Sequence, residues 1–512
     1  MDKKRVVIAV DAGSTGIRVL CLDEAGAILA RAYKRVPSVY PEEGAIEQEP
    51  ETIWSVFHQV VHEALGKVPG TAEPVSIGIS VQRATFCLVD RNSGKEITNF
   101  ISWSDQRAVE TAEQMNSRFR WKVLKAGAKV ISLFTGSKMM TATSMLTFVT
   151  EHVITRLVWL FRRKPELKTR AEAGELLFCT LESWFVYKLT EGAVHATDYS
   201  NAGATSLFNP FEKKWNPIFC GLFDIPMNMF PRVLETAADY GETSFLGRPV
   251  KIGAVVGDQM AALFGHGCFS PGEVKISMGT GAFVDINAGP VPKLSRRGLF
   301  PLIGWKINGR TTYMLEGTVT AVGRLIDWLG PGIGLSEDPL ALNAYAGQCD
   351  TSRGVIYVPT PSGIRFPHFN AQVRSSIFGL SLSTKRCHVA RAVLEGIAFR
   401  LTEILMGIEA DTRIPITRVK VDGGVSKSDI LVQRLADFSG HTIERSHESE
   451  VSALGAGYLA GLAADVWENE GAVKALPREY DHFSPAIGRE EREEQLKRWS
   501  KAVKAAISMG KL

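Results

Sequence analysis

The residue in this chain best placed to move a proton is an aspartate at the end of an apolar run. Residues 255–265 read Val-Val-Gly-Asp-Gln-Met-Ala-Ala-Leu-Phe-Gly. This is the pattern of a strand that ends at Gly257 and gives way to Asp258, Gln259 and the start of a helix. A carboxylate at such a corner lies beside backbone N–H groups and the positive end of a helix, which suits a general base facing an anionic group. Shortly after it comes Lys275-Ile-Ser-Met-Gly279-Thr280-Gly281. A strand that runs into Gly-Thr-Gly offers bare backbone able to wrap a phosphate. The opening of the chain carries a related stretch, Asp11-Ala-Gly13-Ser14-Thr15-Gly16-Ile-Arg18, after an apolar run over 5–10. Its loop supplies N–H groups and two hydroxyls, and its aspartate suits a Mg²⁺-bound water. A fourth stretch, Asp422-Gly423-Gly424, again follows a strand pattern, and its paired glycines permit close approach of a flat or anionic ligand. Each alone reads more readily as an ordinary turn or a helix cap than as a functional loop. It is their recurrence that points to phosphate chemistry.

Two further side chains sit where substrates gather. The run 75–80 reads as a strand and delivers Gln82 and Arg83 at its C-terminal end, the end at which open α/β sheets bind ligands. An ordinary surface arginine is the competing reading. Trp103 closes another apolar run, with Asp105 and Arg107 just after it. No Gly-x-x-x-x-Gly-Lys-Ser/Thr occurs, which excludes a Walker-type loop.

The elements that must position these residues show in the periodicity. The first loop lies in a strand–loop–strand–turn–strand series, with strands over 5–10, 19–22 and 27–30. Ile53, Trp54, Phe57, Val60, Val61 and Ala64 recur at helical spacing, so 50–65 is an amphipathic core helix. Residues 118–170 read as mostly helical, with Arg162-Arg163-Lys164 a solvated helix end; 176–189 reads as a helix packed through Trp184 and Tyr187. From 250 the strand–loop–strand order restarts, which predicts a duplicated phosphate hairpin and two similar α/β domains, 1–249 and 250–512, with a cleft between them. Helices are expected over 321–329 and 388–406. The small-residue run 451–462 predicts a helix packed close to a neighbour, and 490–506 a solvated surface helix.

Bulk properties set the class. A chain of 512 residues exceeds one core. It has 45% hydrophobic and 22% charged residues, ordinary values for a globular protein. A net charge of +4, from 59 basic and 55 acidic residues, gives no footprint for nucleic acid. Seven scattered cysteines without Cys-x-x-Cys argue against a disulfide framework or a zinc site and for a reducing compartment. The N-terminal apolar run is too short for a signal peptide, and the most apolar long stretch, 145–161, carries Glu151, His152 and Arg156, so it reads as a buried or amphipathic helix rather than a span. A cytoplasmic location is the default expectation.

The ordered set Asp11-x-Gly13-Ser14-Thr15, Gly257-Asp258-Gln259, Gly279-Thr280-Gly281 and Asp422-Gly423-Gly424 resembles the FGGY carbohydrate kinases. Ser80-Val-Gln82-Arg83, Ser102-Trp103, Thr197-Asp198-Tyr199-Ser200-Asn201-Ala202, Leu315-Glu316-Gly317 and the run 453–462 resemble the glycerol kinases within that family, in particular their divergent glycerol kinase 5 branch. The resemblance covers essentially the whole chain. It implies an α/β fold of two actin/hexokinase/Hsp70-like (ribonuclease H-like) ATPase domains flanking a nucleotide cleft. It implies ATP-dependent phosphorylation of a polyol, foremost glycerol to sn-glycerol 3-phosphate, with ATP and Mg²⁺ as cofactors. Asp258 would be the general base and Asp11 would position Mg²⁺. Gly13, Ser14, Thr15, Arg18, Gly279 and Thr280 would serve the phosphates, and Gly323, Gly424 and Ser428 the adenosine. Arg83, Trp103, Asp258, Gln259 and Phe283 would line the polyol pocket. Its partners would be the polyol and ATP, with no nucleic acid and no integral membrane segment. Family members commonly form dimers or tetramers, so a homo-oligomer stays open.

Two positions depart from the glycerol kinase pattern. Ala84 stands where a glutamate is usual, and Leu133 where a tyrosine is expected before Phe134. Losing two hydroxyl partners costs about 1–3 kcal/mol each in a pocket for a small polar molecule. A nucleotide-binding regulatory protein of the same fold, or a kinase for another sugar or polyol, is therefore the alternative reading. Retention of Asp258 argues against the regulatory one. Gly16 in place of a third Ser/Thr, and Ser428 in place of an asparagine, are milder changes.

Overall fold

The computed structural model describes residues 4–70, 72–295, 297–337 and 339–510. The chain divides into two compact units. The first comprises Met1–Gly267, Leu302–Thr312 and Ser452–Pro477; the second comprises Cys268–Pro301, Tyr313–Val451 and Arg478–Leu512.

In the first unit the strand Lys4–Ala12 lies at the centre of a sheet. It pairs antiparallel with Gly16–Leu22, which pairs antiparallel with Ile28–Arg35. On its other side it runs parallel to Ala72–Val81, which runs parallel to Val250–Gly257. Val6, Ile8 and Val10 are fully buried in a core shared with Ile53, Phe57, Val60 and Val61 of the helix Pro50–Gly66. Strands covered on both faces read as continuous apolar runs, which is why no alternation marks them. The division at 249/250 read from the sequence falls just before the strand Val250–Gly257. Register with Ala72–Val81 keeps that strand, and the helix Asp258–Gly265 that it feeds, inside the first unit. The small-residue helix Val451–Ala463 packs closely as expected: a Cβ added at Gly455 would lie 1.8 Å from Ala261 O.

One assignment changes. Leu176–Thr180 is a strand paired antiparallel with Phe86–Asp90, and only Leu181–Leu189 is helical. All five residues of that strand are buried, and a short run apolar on both sides has no period to separate strand from helix. Within 145–161 residues 146–152 are not helical, and the helix Val153–Arg163 that follows them is buried along most of its length. Among the described residues no helix is long and apolar enough to cross a membrane.

The second unit repeats the pairing. Arg310–Val319 runs antiparallel to Ala282–Gly289, which runs antiparallel to Glu273–Met278. Glu273–Met278 then runs parallel to Arg418–Asp422, which runs parallel to Ile443–Ser446. The order antiparallel, antiparallel, parallel, parallel is that of the first unit, which accounts for the echo seen in the sequence. The long helix Arg386–Thr412 buries one side against this sheet through Val393, Ile397, Leu401 and Ile404. The C-terminal helix Arg489–Met509 is more than a solvated surface element. Trp499, Ala502, Val503 and Ala506 are buried, and Trp499 stacks on Phe399 with ring centroids 5.0 Å apart. Its nine basic and acidic residues before Ala502 mask a one-sided apolar stripe.

Candidate active site

In the first unit, strand ends bring the candidate residues together. Asp11 is the penultimate residue of Lys4–Ala12, and Ser80 lies opposite it on the neighbouring strand. Ser80 Oγ donates to Asp11 Oδ1 at 2.8 Å, and Arg18 Nη1 lies 3.6 Å from Asp11 Oδ2. The next turn is tied down by side chains. Ser14 Oγ donates to Gln82 Oε1 at 2.8 Å and accepts from Trp103 Nε1 at 3.0 Å. Gln82 Nε2 donates to Gln48 Oε1 at 2.7 Å, and Gln48 Nε2 returns to Ser14 O at 3.2 Å. Gly13 N closes the turn on Gly16 O at 3.0 Å.

Asp258 begins its helix, with Gly257 in extended conformation at the cap. Its Oδ1 accepts from Gln259 N at 2.8 Å and from Arg83 Nε at 3.2 Å. The Asp258 side chain keeps a quarter of its surface exposed, so the carboxylate is held by two donors yet reachable.

The corner before Asp258 rests on residues the sequence left without a role. Gly257 N donates to Ser200 Oγ at 3.0 Å, and Ser200 Oγ donates to Asp198 Oδ1 at 2.9 Å. Thr236 Oγ1 donates to Asp198 Oδ2 at 2.9 Å. Asp198 is fully buried, and that burial raises its carboxyl above the ordinary range against the pull of these donors. The run Thr197 to Ala202 is thus a strand end and a capped helix that brace the candidate base.

Arg156 is the other residue that sequence reasoning missed. It is fully buried and donates to five backbone carbonyls: Ala84, Ile101, Ser102, Thr150 and Glu151. Two of these directly follow Arg83 and precede Trp103. Burial pushes the guanidinium down to about 10, with Asp105 and Glu151 pulling the other way. A charge buried this deeply persists only when its donors are used. Here they pin the segments that carry Arg83 and Trp103. They also hold Ala84 at φ +60, a left-handed conformation that alanine rarely adopts. An arginine in an apolar helix is the one signal that pointed to it.

Leu133 is not in this group. It lies near the end of the helix Phe119–Thr135 and is 77% exposed. The residues tied to Arg156 beside Ala84 and Ser102 are instead Thr150 and Glu151, which follow the helices Phe119–Thr135 and Lys138–Met145 in the chain. Only Ala84 of the two expected departures borders the cluster.

In the second unit the candidate residues meet through backbone. The turn at 279–281 joins Glu273–Met278 to Ala282–Gly289, with Gly279 N on Gly281 O at 2.9 Å. Gly323 N donates to Gly279 O at 3.0 Å and Val322 N to Thr280 O at 3.0 Å. This seats the start of the helix Gly323–Ile333 on that turn. A Cβ at Gly323 would stand 2.6 Å from Gly279 O. Gly423, at φ +92, passes equally close: its Cβ would stand 2.4 Å from Met278 O. Gly279, Thr280, Gly323 and Gly423 therefore converge, and Gly424 follows directly in the chain. Ser428 caps the helix Asp429–Ser439 and donates to Asn343 Oδ1 at 2.7 Å, and Phe283 lies on Ala282–Gly289 opposite Thr318. Beneath them a polar chain crosses the sheet. Lys275 Nζ is 2.7 Å from Asp285 Oδ2 with both side chains fully buried, and donates to Ser277 Oγ, which donates to Asp422 Oδ2.

Two places bear on metals. The Asp11 carboxylate, fixed by Ser80, is a hard oxygen donor of the type Mg²⁺ takes together with waters and phosphate oxygens. Among the described residues Cys349, Cys387 and His388 also cluster. His388 Nδ1, however, already accepts Lys385 N at 3.0 Å, which leaves the proton of a neutral ring on Nε2. The imidazole is thus no ready third ligand.

Comparison with known proteins agrees over the full length. Residues 6–265 match the model for the FGGY family of carbohydrate kinases, N-terminal domain, and 274–464 that for the C-terminal domain. The chain is 37% identical to glycerol kinase 5 of Danio rerio over 514 residues, covering 99% of this chain and 97% of that one. It is 34% identical to glycerol kinase of Desulfitobacterium hafniense over 507 residues, covering 98% and 99%. Among solved structures, Plasmodium falciparum glycerol kinase with ADP superposes with a TM-score of 0.89 at 28% identity, covering 98% of each chain. Gluconate kinase from Lactobacillus acidophilus shares the fold, with a TM-score of 0.84 at 21% identity and coverage of 99% and 98%.

Proposed function

The chain belongs to the FGGY family of carbohydrate kinases, and we propose that it transfers the terminal phosphoryl group of ATP to a polyol, glycerol foremost, to give sn-glycerol 3-phosphate and ADP. The observation that carries this reading is the junction of Arg83 and Asp258, at 3.2 Å, in the unit that also holds the Ser14–Gln82–Trp103 chain. A reachable carboxylate at a helix N-terminus, beside a guanidinium, is what a hydroxyl nucleophile needs.

Phosphoryl transfer asks the protein mainly for alignment and charge neutralisation, with one base to take the proton. Asp258 accepts the proton of the attacking hydroxyl through the carboxylate that Gln259 N and Arg83 orient. Arg83, Trp103, Gln259 and Phe283 hold the polyol. Gly13, Ser14, Thr15, Arg18, Gly279 and Thr280 receive phosphate oxygens through backbone N–H groups, hydroxyls and one guanidinium. Gly323, Gly424 and Ser428 border the adenosine. Asp11 holds Mg²⁺, which when bound neutralises charge on the phosphates. The Ser14–Gln82–Gln48 chain keeps the first loop in register with Trp103, so the phosphate and polyol contacts of this unit move as one piece.

The test is ADP release from Mg·ATP with and without excess glycerol, with Asp258→Asn as control. Glycerol-stimulated release that vanishes in the variant, with nucleotide binding intact, supports the proposal. No stimulation sinks the glycerol assignment. Ala84 favours one second reading, because removing a carboxylate there opens room for a larger or less polar acceptor. The same assay with a panel of polyols and sugars separates the two.

A further inference from the structure

The helix Phe119–Thr135 presents an unusual outer face. Trp121 and Ala128 are its buried residues. At 100° per residue, Phe119, Val123, Val130 and Phe134 fall on a single stripe opposite them. Those four are 79%, 53%, 53% and 87% exposed. An amphipathic helix that packs on a core turns polar residues outward, and this one turns out a row of large apolar side chains instead.

Charge frames the stripe. Residues 114–150 contain no aspartate or glutamate, yet they hold Arg118, Arg120, Lys122, Lys125, Lys129 and Lys138. Those six cations exceed the net charge of the whole chain, +4. Lys122 and Lys129 flank the stripe on one side and Arg120 on the other, by the same helical geometry. Long cationic stems alongside an apolar stripe are the composition of a helix that lies in a lipid interface, its apolar face among acyl chains and its charges at the headgroups.

We propose that this helix docks the protein peripherally on an anionic lipid surface. A second copy of the chain is the occupant the charges oppose: an isologous contact through this face would set each cation cluster against its duplicate. An anionic membrane supplies both the apolar phase and the counter-charge. The inference stands apart from the catalytic reading, because the helix Phe119–Thr135 carries none of Asp258, Arg83 and Trp103.

The test is cosedimentation of the full-length protein with vesicles of phosphatidylcholine alone and of phosphatidylcholine with about a third phosphatidylserine. Expected is binding to the anionic vesicles at least roughly tenfold tighter than to the neutral ones, weakened by raised salt. The double variant Val130→Asp/Phe134→Asp should lose it while keeping the circular dichroism spectrum and nucleotide-dependent activity of the parent. Lys122→Gln and Lys129→Gln should each weaken it roughly fivefold. Absence of binding to anionic vesicles overturns the proposal, as does binding that the aspartate variants leave intact. A concentration-dependent dimer, seen by light scattering and dispersed by the same double variant, overturns it too, since the stripe then belongs to a second copy.

Discussion

The two units share five strands paired in one order, yet they finish their strand ends in different materials. In the first, the loop after Asp11 is locked by side chains: Ser14, Gln82, Gln48 and Trp103 form one chain of hydrogen bonds. In the second, the corresponding turn is locked by main chain. Gly279, Gly323 and Gly423 pass so close to their neighbours that no side chain fits at the last two. Side-chain locks can be retuned one substitution at a time, which suits recognition of a particular acceptor. Main-chain locks tolerate almost no change, which suits the fixed shape of the nucleotide proposed for this unit. The same strand pairing thus carries different locks in the two units.

Five experiments, in order of decreasing effect, follow from this contrast and from the buried groups around it. The largest effect belongs to the proposed base. Asp258→Asn should lower the turnover of phosphoryl transfer by roughly 10²–10⁴-fold with nucleotide affinity unchanged, checked by coupled ADP assay and calorimetry. Next comes the main-chain lock. Gly423→Ala forces a Cβ to within 2.4 Å of Met278 O at φ +92. It should cost roughly 1–3 kcal/mol of stability in chemical denaturation and raise the ATP KM. The side-chain lock should fail more gently. Ser14→Ala leaves Gln82 and Trp103 each short of a partner and should cut kcat/KM for the polyol by about tenfold with little change in denaturation midpoint. Arg156→Lys belongs beside it. One ammonium cannot serve five carbonyls, so the polyol KM should rise while the ATP KM holds, a split that general loosening of the fold would not produce.

The smallest effect is a titration. Burial pushes the Glu182 carboxyl up to about 7 from an ordinary 4.5, although Thr180 and Thr197 hydroxyls donate to it. The folded state therefore keeps a proton that the unfolded chain releases, and stability should fall as pH rises between those values. Glu182→Gln should flatten that slope, which amounts to at most about one proton, in denaturant titrations across pH. A slope that the variant leaves unchanged would assign it to other groups.

The parts of the candidate site readable from the sequence are those whose chemistry demands a rare residue in a fixed local setting. Glycines beside Thr280 and after Asp422, and aspartates ending apolar runs at 11 and 258, are local requirements and stand out. The remainder depends on partners distant in sequence. Asp198 braces Gly257 through Ser200, across some sixty residues of chain, and Arg156 reaches back to Ala84 across seventy-two. No period or spacing encodes such contacts. The resemblance placed Leu133 in the pocket, whereas the structure leaves it 77% exposed near the end of the helix Phe119–Thr135. The strand Leu176–Thr180 and the buried side of the helix Arg489–Met509 were obscured for opposite reasons, the one too uniformly apolar and the other too densely charged.

The distribution of thiols has a practical use. All seven cysteines are unbridged, and only Cys349 is not buried. Cys21, Cys87, Cys179 and Cys220 lie within the first unit, and Cys268, Cys349 and Cys387 within the second. Burial raises the thiols of Cys21, Cys87, Cys179, Cys220 and Cys268 out of the reactive range. An alkylating reagent therefore meets a built-in clock. Cys349, only part-buried, is itself pushed up to about 11, by desolvation first and then by the neighbouring Cys387, so four thiols time the opening of one unit and Cys268, Cys349 and Cys387 that of the other, resolved by peptide mass in a single sample.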